Sequence, residues 1–263
     1  AVSTRPVAVY VNGAYWGLYD LNENQNEDFL AAHYGVNPDE TDIIRRNETV
    51  LAGARTDFKR VRAFALGQDT ASDQVYAELC RWIDADCFTD YLIAQTYFVN
   101  SDLVNQKYWR SQDYAVKWRP VYFDLDGAFS SVTSNLLISY FTELGIPSPD
   151  GTITNMDIYV GLYRNAAWRE RFCKRYVYVV VNQFDPDRLI AVLDELAAEM
   201  EPEMARHIAR WGTPSSLSRW KSEVESIRNF LRKRPDYALK NLKTTFGLSD
   251  AHLREYIELA KQG

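Results

Sequence analysis

The 263-residue sequence is 46% apolar and 25% charged, a composition that allows one large core or two modest lobes and excludes a disordered chain. Its formal net charge of −6 argues against a general nucleic-acid surface, and its longest apolar run, residues 176–181, is far too short to span a membrane. Three cysteines without a Cys-x-x-Cys spacing, and three histidines on separate predicted helices, support neither a disulfide framework nor a zinc site.

The first predicted element is a β-hairpin. Two β-rich runs flank Asn12-Gly13, the dipeptide that best tolerates positive φ at both centres of a type I′ turn. A short helix follows and ends at Gly35. The spacing of apolar residues then predicts a strand at 42–46, helices at 56–66 and 72–82, and a longer helix that is capped by Asp86 and stops near Asn100.

The middle of the chain reads as two more strands and a long loop. Strands are predicted at 106–110 and 118–123, joined by a turn around Gln112-Asp113. Residues 130–155 are rich in Ser, Thr, Pro and Gly, with an apolar island at 136–141, and indicate a long surface loop with a little structure of its own. The rest is helical, with Asp185-Pro186 as one helix start. Strands first and helices last indicate an α+β fold, with a strand-rich part in residues 1–85 and a helical lobe in residues 86–263.

The second of these middle strands leads into Asp124-Leu125-Asp126-Gly127, which allows several chemistries. The motif resembles the first motif of haloacid-dehalogenase-type phosphatases, where the first aspartate is the nucleophile and the second an acid/base. It also resembles the metal-binding Asp-x-Asp of some glycosyltransferases, and it could simply close a hairpin. Two carboxylates beside aromatic residues, with no lysine nearby, need a cation or a proton, so a metal site is favoured.

Asp102 and Asn105 lie in a loop between the predicted long helix and the strand pair. A helix, a loop with Asp then Asn, a hairpin and a strand-terminal Asp-Gly is the order in which protein-kinase-like lobes assemble their site. In those enzymes the loop Asp positions the acceptor hydroxyl, while the Asn and the later Asp hold Mg²⁺. The two residues could equally be turn and cap residues.

Several spaced segments together resemble the CotH family, the spore-coat protein H type of atypical protein kinases. They are residues 6–23 with the Tyr-Trp-Gly hairpin, 100–105, 118–126, 163–172 and 202–211. The resemblance implies an atypical kinase fold that transfers the γ-phosphoryl group of ATP to Ser or Thr of a protein with Mg²⁺ or Mn²⁺. It implies that Asp102 is the catalytic-loop acid and that Asn105, Asp124 and Asp126 are metal ligands.

The same resemblance makes Glu23 a nucleotide-site residue. Family sequences often carry a basic residue after this glutamate, but Asn24 stands at that position here, so Arg45 or Arg46 is a candidate substitute. We assign Arg46 to the nucleotide site; the alternative is that it is an exposed arginine at a strand edge. An upstream segment with a phosphate-gripping lysine is expected outside the given sequence. The expected partners are a nucleotide and a secreted, surface or coat protein substrate, and the alternative is a pseudokinase or surface-binding module.

Overall fold

The computed structural model describes residues 3–46, 49–112, 116–147, 151 and 153–263. Strands precede helices along the chain, and small antiparallel sheets combine with a mainly helical C-terminal part, so the predicted α+β class is confirmed. No helix within the described ranges is long and apolar enough to cross a membrane. The predicted division into two lobes at residue 85 stays a prediction.

The N-terminal hairpin forms as predicted. Strand β1 (Thr4–Val11) pairs with β2 (Ala14–Asn22), and the turn residues Asn12 and Gly13 have φ of 52° and 79°, which a type I′ turn requires. Helix α1 (Glu27–Tyr34) follows and ends at Gly35, which has a left-handed φ of 68°.

A four-stranded antiparallel sheet lies at the centre of the strand-rich part. Its order is β4-β3-β5-β6, formed by β3 (Thr41–Arg45), β4 (Thr49–Ala52), β5 (Lys107–Ser111) and β6 (Val116–Pro120). Strand β6 ends at Pro120, so the prediction that a strand runs to Phe123 is wrong: residues 121–125 form an irregular segment. The predicted turn includes Asp113, which lies outside the described residues.

Three helices connect the two halves of this sheet: α2 (Thr56–Gly67), α3 (Asp73–Trp82) and α4 (Ala85–Tyr97). The side chain of Asp84 accepts a hydrogen bond from Cys87 N and caps α4. The prediction that Asp86 is the cap is therefore wrong by two residues. Asp84 satisfies an N–H group that would otherwise have no partner in the first turn.

The segment 130–155 contains short elements: α5 (Leu137–Tyr140), β7 (Ile146–Pro147) and β8 (Ile153–Thr154). Leu137 and Tyr140 are fully buried in the main hydrophobic core. The prediction of a little structure in this segment is therefore confirmed, but the apolar island at 136–141 packs into the core and not on the surface. Residues 148–150 and 152 lie outside the described ranges.

The C-terminal part is built from five helices: α6 (Asp157–Arg164), α7 (Ala166–Asn182), α8 (Pro186–Trp211), α9 (Leu217–Phe246) and α10 (Asp250–Lys261). Helix α7 supplies buried Trp168, Phe172 and Tyr176 to the main core. Asp185 accepts from Arg188 N and Pro186 is the first helical residue of α8, as predicted.

The hairpin is attached to the end of α8. Trp211 Nε1 donates to Trp16 O at 2.8 Å, and Leu18 N donates to His207 Nδ1 at 3.0 Å. A Cβ atom on Gly17 would lie 2.7 Å from Trp211 Nε1, so the close approach requires glycine at this position. His207 thus helps to hold the hairpin.

Candidate active site

The loop that follows α4 has a fixed conformation. Val99 has a φ of 53°, which is rare for a β-branched residue, and its side chain is buried. The Asn100 amide donates to Gln95 Oε1 at 2.8 Å, and its Oδ1 accepts from Asp102 N at 3.2 Å. The side chain of Asn100 therefore orients the backbone that carries Asp102.

Gly127 connects this loop to the Asp-Leu-Asp segment. Ser101 N and Ser101 Oγ both donate to Gly127 O at 2.9 Å. A Cβ atom at Gly127 would lie 2.9 Å from Asn100 Oδ1 and 3.2 Å from Asp102 N. The glycine of the motif is thus required by the close approach of two backbones, and it brings the second acidic segment onto the first loop.

Asn105 and Asp124 are in direct contact. Asn105 Nδ2 donates to Asp124 Oδ2, and Asn105 Oδ1 accepts from Arg45 Nε at 2.9 Å and from Arg45 Nη2 at 2.7 Å. Asp124 has a φ of 56°, an uncommon value outside glycine. A loop residue, a residue after β6 and the last residue of β3 therefore meet at one point.

The carboxylates of Asp102, Asp124 and Asp126 influence one another. Partial burial, then the negative charges of Asp126 and Asp102, raise the pKa of Asp124, while Arg45 acts in the opposite direction. Among the described residues, no three His, Cys, Asp or Glu side chains form a group that could hold a metal ion. Asp124 and Asp126, with the amide oxygen of Asn105, are the donors that this structure offers to a cation.

A lysine lies beside these acids, so the expectation of no nearby lysine is wrong. Lys107, at the start of β5 and only 7% exposed, donates from Nζ to Gln25 Oε1 at 3.2 Å and to Gln25 O at 3.3 Å. Its Nζ also lies 4.6 Å from the centroid of the Phe123 ring. Burial, then Arg45, lower the pKa of Lys107, and Asp124 raises it.

A cleft of about 660 Å³ opens between the hairpin and the segment after β6. This size lies in the range of small-molecule sites, roughly 300–1,000 Å³. Its walls are formed by Thr4, Asp20, Asn22, Gln25 and residues 122–126. Two of the predicted metal ligands, Asp124 and Asp126, therefore face a space large enough for a nucleotide.

The two residues assigned to the nucleotide site are placed differently. Glu23 Oε1 lies 2.7 Å from His33 Nε2, and its Oε2 accepts from Ser3 N at 2.9 Å. The Ser3 N–H, then the His33 ring, lower the pKa of Glu23. At the end of β3 it is Arg45 that contacts Asn105, whereas Arg46 N donates to Gln106 O.

Arg45 and Lys107 are the residues that sequence reasoning missed or placed one position away. They occupy directly opposed positions of β3 and β5. Arg45 is the last residue of β3, whereas Arg46 lies outside the strand and has a φ of 53°. No comparable signal links Lys107 to Asp124, because Asp124 comes near enough to act on Lys107 only when β6 and the following segment fold back along β5.

Comparison with known families gives a match over most of the chain. A family model described as CotH kinase protein matches residues 1–238, which include the hairpin, the four-stranded sheet, the loop at 98–105 and the cleft. A search among curated proteins found no match.

Proposed function

Because the chain belongs to the CotH kinase family, we propose that it transfers the γ-phosphoryl group of ATP to Ser or Thr of a protein substrate. The cleft beside the hairpin holds the nucleotide, and the fold is a divergent kinase fold in which the loop after α4 carries Asp102. The substrate is a secreted, surface or coat protein, as the family resemblance implies.

The contact between Asn105 and Asp124 is the observation that carries this proposal. Nineteen positions separate these two residues, and both have oxygen-bearing side chains that a kinase needs for its metal. The contact lies at the cleft wall, because Asp124 and Asp126 line it. A pair of capping residues would have no reason to meet there.

The donor set fits Mg²⁺ or Mn²⁺ bound together with a nucleotide. Magnesium is usually held by one or two carboxylates plus substrate phosphates and keeps several waters, so Asp124, Asp126 and the Asn105 amide are sufficient. Partial burial first, and then the charges of Asp126 and Asp102, raise the pKa of Asp124, and a divalent cation would offset the repulsion between these charges. When bound, the cation neutralises charge on the phosphates.

The chain's own residues supply positioning. Asn100 and Gly127 hold the backbone around Asp102, whose charge acts on Asp124. The Asp102 carboxylate would accept a hydrogen bond from the substrate hydroxyl. The hairpin forms one side of the cleft through Thr4, Asp20 and Asn22.

Ligand-induced stabilisation tests nucleotide and metal binding. Mn-ATP at about 100 times its Kd adds about 2.7 kcal/mol to the free energy of unfolding, a shift of roughly 5 °C for a chain of this size. Asp126→Asn is expected to abolish the metal-dependent part of this shift. Asp187→Asn, a change at an exposed position of α8, is the matched control and keeps the shift.

Transfer of radiolabelled γ-phosphate to a Ser-rich peptide separates a kinase from a binding module. Asp102→Ala should abolish transfer while leaving the Mn-ATP shift in place. A wild-type protein that binds Mn-ATP but labels no Ser or Thr substrate would favour the pseudokinase alternative.

The phosphatase alternative requires a doubly wound parallel sheet. The strands of the three described sheets pair antiparallel, and the segment that carries Asp124 follows an edge strand. The phosphatase predicts an aspartyl-phosphate on Asp124 that fluoroberyllate mimics. We expect no stabilisation by fluoroberyllate.

A further inference from the structure

Arg45 and Lys107 form a cross-strand pair of like charges. They are directly opposed in the antiparallel register of β3 and β5, so their side chains leave the same face of the sheet. Like charges at such positions are destabilising. A pair of this kind calls for a compensating anion.

The described residues do not supply a full compensation. Arg45 contacts the neutral amide of Asn105, and Lys107 contacts the neutral Gln25 and the face of Phe123. Within the described ranges neither cation forms an ion pair with a carboxylate. Asp124 is near enough to influence both, but this single acid also faces Asp102 and Asp126.

Both cations stand directly behind the wall of the cleft. Gln25 and Phe123, the two contacts of Lys107, line it, and Asn105 joins Arg45 to Asp124, which also lines it. The cleft itself presents three carboxylates, from Asp20, Asp124 and Asp126. A triphosphate carries about four negative charges, so it can enter such a cleft only where cations offset this repulsion.

Arg45 also occupies the atom that a metal needs. The Asn105 Oδ1 has two lone pairs, and Arg45 donates to this oxygen from both Nε and Nη2. A divalent cation that takes Oδ1 displaces the guanidinium, which must then find another acceptor. An Arg guanidinium matches phosphate oxygens in charge and geometry.

We infer that Arg45 and Lys107 together form an anion subsite for the phosphates of the nucleotide, with Arg45 exchanging Asn105 for phosphate when the metal binds. This inference rests on the proposed function in its choice of ligand. The competing interpretation is structural: the pair would only tie the segment before α1 and the loop at 98–105 to the sheet. In that case its removal lowers the melting temperature without changing anion binding.

Isothermal titration calorimetry of the whole chain at low salt tests the subsite with two probes, Mn-ATP and inorganic tripolyphosphate. Lys107→Met and Arg45→Met remove the charge and keep an unbranched apolar stem. Each is expected to weaken both probes roughly ten- to hundredfold, the value of a charge-assisted hydrogen bond. Lys117→Met, the same change at an exposed position of β6, leaves both affinities within about twofold.

The outcomes separate the subsite from the kinase proposal. If wild type binds Mn-ATP and both methionine variants bind both probes equally well, the subsite is wrong and the kinase proposal survives. If tripolyphosphate binding is lost in the variants but wild type does not prefer Mn-ATP, the subsite stands and the kinase proposal fails. If wild type binds neither probe, both are wrong. Should Lys107→Met not fold, Lys107→Gln keeps the hydrogen bond to Gln25 without the charge and gives the same test.

Discussion

Replacing Arg234 with methionine is expected to destabilise the segment that leads into the loop at 98–105. Arg234 is only 1% exposed and lies in the middle of α9. It donates from Nε to Tyr97 O at 2.6 Å, from Nη2 to Thr96 O at 2.6 Å, and from Nη1 to Val132 O at 2.6 Å and Ser134 O at 3.1 Å. One side chain therefore caps the end of α4 and holds the segment after Phe129.

The magnitude follows from the carbonyl groups left without a donor. Ser134 O keeps a donor, since Asn241 Nδ2 also donates to it at 2.8 Å. An unpaired buried acceptor costs about 1–3 kcal/mol, so the other three carbonyls give roughly 3 kcal/mol at the lower end. Burial also lowers the pKa of Arg234, which shows that the buried charge is itself costly; its removal and entry of water recover about 1 kcal/mol. We expect a net loss of about 2 kcal/mol in the free energy of unfolding, or roughly 4 °C in Tm.

Urea denaturation followed by tryptophan fluorescence measures this loss as a change in midpoint at constant slope. Arg232→Met is the matched control, since this exposed arginine on the same helix pairs with Glu225 at 2.9 Å and contributes less than about 1 kcal/mol. A loss below about 1 kcal/mol for Arg234→Met would refute the assignment of Arg234 as a cap.

Three further substitutions test other parts of the fold. Asp84→Ala should lower the free energy of unfolding by about 1 kcal/mol and Asp86→Ala almost not at all. Burial raises the pKa of Asp84, but its hydrogen bonds outweigh burial and lower the pKa overall, so the stabilisation is present above the ordinary Asp pKa and is lost as the pH falls through the lowered one. Equal effects of the two substitutions in acid titrations would contradict the capping assignment. Gly127→Ala should weaken Mn-ATP binding about tenfold or more with less effect on Tm, because its Cβ meets the loop; unchanged calorimetric affinity would contradict this. Arg62→Met should lower the free energy of unfolding by about 3–5 kcal/mol, because it leaves the buried Asp157 without the guanidinium that lies 3.0 Å away. Adding Asp157→Asn to the same chain should recover most of this loss, and additive losses in a double-mutant cycle would contradict the pairing.

Local sequence signals predicted the elements that depend on local chemistry. The hairpin turn at Asn12-Gly13, the end of α1 at Gly35 and the start of α8 at Asp185-Pro186 were all predicted correctly. Each depends only on the backbone preference or the capping side chain of the residues at that position. The placement of Asp84 as the cap of α4 was missed because two aspartates two residues apart satisfy the same pattern, and only the tertiary path of the chain selects between them.

The sequence singles out the acids of the proposed site more readily than its cations. Asp102, Asn105 and Asp124 stand out in sequence because acids and amides at loop positions suggest metal chemistry. Lys107 does not stand out, since an isolated lysine at the start of a strand is ordinarily exposed. Its role depends on the antiparallel register that sets it opposite Arg45 and on the return of the chain past Phe123.

The attachment of the hairpin to α8 has a practical consequence for dissecting the protein. Leu18 and His207 are 189 positions apart, yet their hydrogen bond helps to support one wall of the cleft. A shortened chain that stops before α8 would retain each side chain that lines the cleft and still lack the scaffold for that wall. Fragments chosen by the position of the acidic residues alone should therefore bind nucleotide poorly. Their weak binding would result from the loss of the support that α8 gives to the hairpin, and not from the loss of a side chain that contacts the nucleotide.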